Sequence, residues 1–89
     1  MKTIYKYPLK ITNVQQIQYT PNSGEFDCLK VGLDPNGNPC IWAVANTKEE
    51  PKLIKIFVVG TGNPLPNDAD YHLGSFNQNM FVWHVFAKN

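Results

Sequence analysis

The sequence predicts one all-β domain, mainly antiparallel, built as a small curled sheet, barrel or sandwich of about six to seven short strands. Three observations predict it. Pro and Gly clusters recur at short intervals, at Pro8, Pro21 to Gly24, Pro35 to Pro39, Pro51 and Gly60 to Pro66. Short runs rich in Val, Ile, Tyr, Phe and Trp stand between them, and such residues suit a pleated, half-buried surface. No window holds a helical period. The best candidate, Lys48-Glu49-Glu50, is cut short because proline disfavours the helical region for the residue before it, here Glu50. The 89 residues suffice for a single domain, 1–89, and are too few for two.

In chain order the strands are expected at Thr3 to Tyr7, Gln15 to Tyr19, Phe26 to Leu33, Cys40 to Ala45, Lys52 to Val59, Tyr71 to Gly74 and Met80 to Ala87. The sharpest local signal is Asn36-Gly37, a dipeptide suited to the positive φ angles of a two-residue hairpin turn. Centred there, the hairpin sets Leu33 opposite Cys40, Val31 opposite Trp42 and Leu29 opposite Val44, all on one face. The other face receives Gly32 with Ile41, Lys30 with Ala43 and Cys28 with Ala45. Cys28 and Cys40 then point to opposite sides, so no disulfide joins them. Lys52 to Val59 and Met80 to Ala87 are apolar on nearly both faces, as in central strands covered twice. Either the sheet curls over itself, or a second copy of the chain covers one face.

Charge excludes several classes. All eight basic residues are lysine, and the net charge is +1. Without the arginine fork that reads guanine and phosphate bidentately, sequence-specific DNA binding is not expected. No apolar run is long enough for a bilayer, and Met1 to Lys10 alternates Lys with Tyr and Ile instead of forming a signal-peptide core. The expectation is a cytoplasmic protein with no membrane partner.

Catalytic and metal chemistry find little. His72 and His84 are the candidate bases, and neither sits in a known motif. Cys28, Cys40, His72 and His84 lack zinc-type spacing, so no metal is expected. Asp68 and Asp70 follow a Pro-rich stretch and read as a solvated turn, while Asp34 initiates the hairpin turn. No catalytic residue, no cofactor and no enzymatic activity are assigned. The candidate ligand-binding residues are Gly60, Thr61, Gly62 and Asn63, whose backbone amides form an anion nest or else a plain bulge and turn, with Trp42, Trp83 and His84. Tyr and Trp join apolar area to a polar handle, which suits base stacking and subunit contact alike.

Ile4-Tyr5-Lys6-Tyr7-Pro8-Leu9, Leu29-Lys30-Val31-Gly32, Pro39-Cys40-Ile41-Trp42-Ala43, Val59-Gly60-Thr61-Gly62-Asn63-Pro64, Leu73-Gly74-Ser75-Phe76 and Phe81-Val82-Trp83-His84-Val85-Phe86 occur in this order along nearly the whole chain. Together they resemble a family of small proteins encoded mainly by bacteriophages and prophages. The resemblance transfers no site residue; it implies a phage accessory role, counter-defence rather than metabolism. The leading expectation is therefore a homo-oligomer that sequesters a small nucleotide-type immune signal in pockets between subunits. The alternative is a protein–protein inhibitor of a host defence nuclease or CRISPR effector. Degradation of such a signal by this chain ranks last.

Overall fold

In the computed structural model, which describes residues 1–89, seven antiparallel strands form two facing sheets of a small sandwich. They are β1 (Lys2–Pro8), β2 (Gln15–Tyr19), β3 (Asp27–Leu33), β4 (Pro39–Asn46), β5 (Lys52–Gly60), β6 (Tyr71–Gln78) and β7 (Phe81–Lys88). One sheet has the order β1-β4-β3 and the other β2-β5-β7-β6. No helix is long and apolar enough to cross a membrane. Lys48-Glu49-Glu50 is a turn, in which the Glu49 carboxylate accepts hydrogen bonds from the Ser23 and Gly24 amides at 2.8 and 2.7 Å.

Period-two alternation sorts the faces. Ile41, Ala43 and Ala45 of β4 point inward, as do Ile54, Ile56 and Val58 of β5 and Val85 and Ala87 of β7. Together they form one cluster of buried side chains shared by the two sheets. Tyr19 and Phe26 meet edge to face at 5.0 Å, and the Thr20 amide donates to the Tyr7 hydroxyl at 3.0 Å, joining the two sheets.

Two expectations need correction. The β3–β4 register is one residue away from the expected one: Leu33 pairs with Pro39, Gly32 with Cys40, Val31 with Ile41 and Lys30 with Trp42. Pro35 is the cause. Its fixed φ suits the second position of a type I turn, so the turn runs from Asp34 to Gly37 and Gly37 takes the left-handed conformation, φ 81°. A bulge between Cys28 and Lys30 then sets Cys28 opposite Ala43 instead of Ala45. Cys28 faces inward and Cys40 outward, and both are free thiols. The second correction is β6, which extends past Gly74 to Gln78. Ser75 and Asn77 face outward opposite His84 and Val82, and only Phe76 of that stretch enters the core, so the segment carries little apolar signal.

β5 and β6 flank β7, and each runs antiparallel to it. They are therefore parallel to each other, and residues 61–70 must cross β7. Lys55 on the outer face of β5 donates to Asp68 at 3.3 Å, which pins the crossover to that outer face. The double-sided apolar pattern of β5 follows: Ile54, Ile56 and Val58 fill the core, while Phe57 points to the crossover side and is only 3% exposed.

Two predictions follow from this packing. The Asp34 carboxylate accepts the Asn38 and Asn36 amides at 2.9 Å and the Lys6 ammonium at 3.1 Å. These donors, the Asn38 amide foremost, hold its pKa below the usual aspartate value. The folded state thus prefers the ionised form. Its contribution is complete above the ordinary aspartate value of about 3.9 and is lost as pH falls through the lower folded value. In urea unfolding between about pH 5 and pH 2, Asp34→Asn is expected to remove part of the acid-induced loss of stability. At Gly74, an added Cβ would lie 3.0 Å from the Val31 Cβ. Gly74→Ala is expected to lower Tm by roughly 5–20 °C in a thermal melt, because the facing strand must move away.

Candidate functional site

The sequence-predicted residues separate into two places. Gly60, Thr61, Gly62, Asn63, Trp83 and His84 gather at one end of the four-stranded sheet. Trp42 lies apart from them, on the outer face of the three-stranded sheet.

At the first place, the Gly60–Asn63 segment is a tight turn. The Asn63 amide donates to the Gly60 carbonyl at 3.0 Å and the Thr61 amide to the Val82 carbonyl at 3.2 Å. Those amides are spent within the fold, so of the two readings of this loop it is the plain turn, not a nest of successive free donors, that forms. The Trp83 ring packs over Gly60, where a Cβ would sit 3.1 Å from it. Trp83 and Phe81 lie with centroids 5.7 Å apart, and with Thr61, Asn63 and Met80 they line a groove of ≈ 380 Å³. No lysine lines this groove.

On the outer face of the same sheet, four side chains form a hydrogen-bonded chain. Cross-strand pairing sets His84 between Val59 and Ser75, and His72 opposite Phe86. The Ser75 hydroxyl lies 2.8 Å from His84 Nδ1 and 3.1 Å from His72 Nε2. His84 Nε2 lies 2.8 Å from the Thr61 hydroxyl, which also lies 3.4 Å from the Val82 carbonyl oxygen. Ser75 and His72 are exposed and His84 is half-buried. Sequence reasoning found the two histidines but not Ser75. Its link to His84 depends on the β6–β7 register, which is set by a turn at Asn79-Met80 that contains no glycine.

At the second place, Lys6 of β1, Trp42 of β4 and Lys30 of β3 stand side by side across the sheet. The Lys30 ammonium lies 5.3 Å from the indole centroid, within cation–π range. Ile4 and Val44 occupy the next row, followed by Lys2 with Asn46. Two carboxylates share this face: Asp34 engages Lys6, and Asp27 accepts from Asn22. Burial pushes the Cys40 thiol up, and Cys28 likewise, so neither is poised as a thiolate nucleophile.

A family model described as a domain of unknown function (DUF7352) matches residues 1–89. The chain belongs to that family. No curated protein and no solved structure matches it. The DUF7352 match spans both sheets, and so includes the Trp42 face and the His84 chain alike.

In this DUF7352 chain Gly62 has φ 92° with open space around it, so its role in the turn is conformational. Gly62→Val is expected to cost on the order of 1–2 kcal/mol through backbone strain alone. Denaturant titration, with the midpoint lowered at unchanged slope, checks this.

Proposed function

We propose that this protein is a binding module that captures a small nucleotide-type ligand on the outer face of the three-stranded sheet, in a phage counter-defence role. One observation carries the reading: Trp42 stands between Lys6 and Lys30 in a single cross-strand row. The indole offers a stacking surface for a base, a contact worth about 1–3 kcal/mol in nucleic-acid systems. The lysines supply point charges for phosphate, as an arginine-free chain must. Lys30, Lys6 and Lys2 are exposed around the half-buried indole. A second copy docking along the free edge of β1, where Ile4 is exposed, would turn this open face into a pocket between subunits.

A second reading, inhibition of a protein partner, has its own support. The β6–β7 hairpin tip projects Met80, fully exposed, and Phe81, 61% exposed, with Val82 beside them. Met80 holds φ 70°, a strained conformation for a residue with a side chain. A convex apolar tip fits a groove on a protein better than it fits a small ligand.

The two readings separate by equilibrium binding of fluorescent ATP and a fluorescent cyclic dinucleotide. Trp42→Ala is expected to weaken binding of at least one of them by about ten- to a hundredfold, and Lys30→Ala is expected to weaken it in a salt-dependent way. Met80→Ser with Phe81→Ser is expected to leave it unchanged. Denaturing the complex should return the nucleotide intact. Absence of binding to either probe would set the capture reading aside.

A further inference from the structure

We propose that Ser75 is the nucleophile of an acyl-transfer site on the outer face of the four-stranded sheet, with His84 as its general base and His72 as the electrophilic donor. This activity is separate from ligand capture at Trp42, and neither depends on the other. The geometry meets three requirements of such a site. The Ser75 hydroxyl is within 2.8 Å of His84 Nδ1, a short contact for proton transfer. His84 is oriented from its far side: Nε2 lies 2.8 Å from the Thr61 hydroxyl, and because that hydroxyl donates to the Val82 carbonyl oxygen at 3.4 Å it is left to accept from Nε2–H. This arrangement leaves Nδ1 free to accept the serine proton. Thr61 is thus a positioning residue, in the place an aspartate takes in other hydrolytic triads.

The third requirement is stabilisation of the developing oxyanion. His72 Nε2 lies 3.1 Å from the Ser75 oxygen. Its N–H first donates to the serine oxygen, directing the hydroxyl proton toward His84. It then stands next to the carbonyl oxygen of an acyl group attached to Ser75. The His72 ring is held in turn against Phe86 at 5.0 Å. Ser75 and His72 are exposed, so a substrate can reach both. The charged groups of this face, Lys55, Lys88 and Asp68, lie beyond the Phe57–Phe86 row, so the site suits small uncharged activated esters.

The reaction balances without a metal or redox partner. Ser75 Oγ bonds the acyl carbon as its proton passes to His84 Nδ1, and the carbonyl electron pair moves to oxygen, where His72 Nε2–H meets it. Collapse breaks the bond to the leaving alkoxide, which takes the proton from His84. Water then attacks the Ser75 ester with His84 again accepting the proton. The carboxylic acid departs, and the Ser75 oxygen takes its proton back from His84.

Labelling the folded protein with an alkyl fluorophosphonate tests the assignment. Ser75 displaces fluoride, giving a single adduct that peptide mass mapping places on Ser75. The adduct is expected to be absent from Ser75→Ala and from wild-type protein in urea. His84→Gln should slow its formation by about a hundredfold, and the exposed variant His72→Gln by about tenfold or more, with circular dichroism unchanged. Thr61→Val should slow labelling while Thr61→Ser restores it. p-Nitrophenyl acetate turnover should fall to the Ser75→Ala background in the same variants. No adduct on Ser75, equal labelling of folded His72→Gln and wild type, or labelling that persists in urea would each overturn the proposal.

Discussion

The approach of β3 to β6 sets the limits within which the rest of the molecule is arranged. Gly74 faces Val31 so closely that no side-chain atom fits between them. The sheets are joined along that side, and Ala43, Ala45 and Ala87 lie in the same core almost wholly removed from solvent. The same tightness leaves little room for error in register, because a slip of one residue would drive Trp42 into a space made for alanine.

Both candidate surfaces are by-products of this arrangement. An inner face devoted to aliphatic packing sends the other half of each strand outward. On β4 that half includes Trp42, flanked by the lysines of its two neighbours. On β7 it includes His84 and Phe86, opposite Ser75 and His72. The crossover covers the Phe57 end of the second face and brings Thr61 to His84 at the other end. A connection required by strand order thus orients the imidazole.

Much of the architecture was legible in the sequence, because apolar alternation and Pro/Gly punctuation are local signals. The strands are present in the expected order; the two cysteines also end on opposite sides, but only because the bulge between Cys28 and Lys30 offsets the one-residue shift of the β3–β4 register. What escaped was non-local. The Asn36-Gly37 signal was right about the hairpin and wrong about its centre, since Pro35 outweighs the dipeptide in choosing the turn type. The glycine loop left an anion nest and a plain turn both open, and the turn is what forms: the Asn63 and Thr61 amides bond to Gly60 and Val82, which no sequence pattern reveals. Trp42 and Trp83 were grouped by residue type, yet they belong to different sheets. Ser75 looked like an ordinary polar residue until a glycine-free turn placed it across from His84.

The strand order also governs how the chain must assemble during synthesis. β7 lies between β5 and β6, so neither can pair on that side until it arrives. A ribosome adding about 5–20 residues per second leaves β5 unpaired on its β7 side for seconds after it emerges. β1 likewise waits for β4 before its first ladder bond can form. Two of the five strand ladders, β5–β7 and β6–β7, therefore cannot form until β7 has left the exit tunnel. In that interval the stretch from Lys55 to Gly60 lacks every ladder partner it will have on its β7 side.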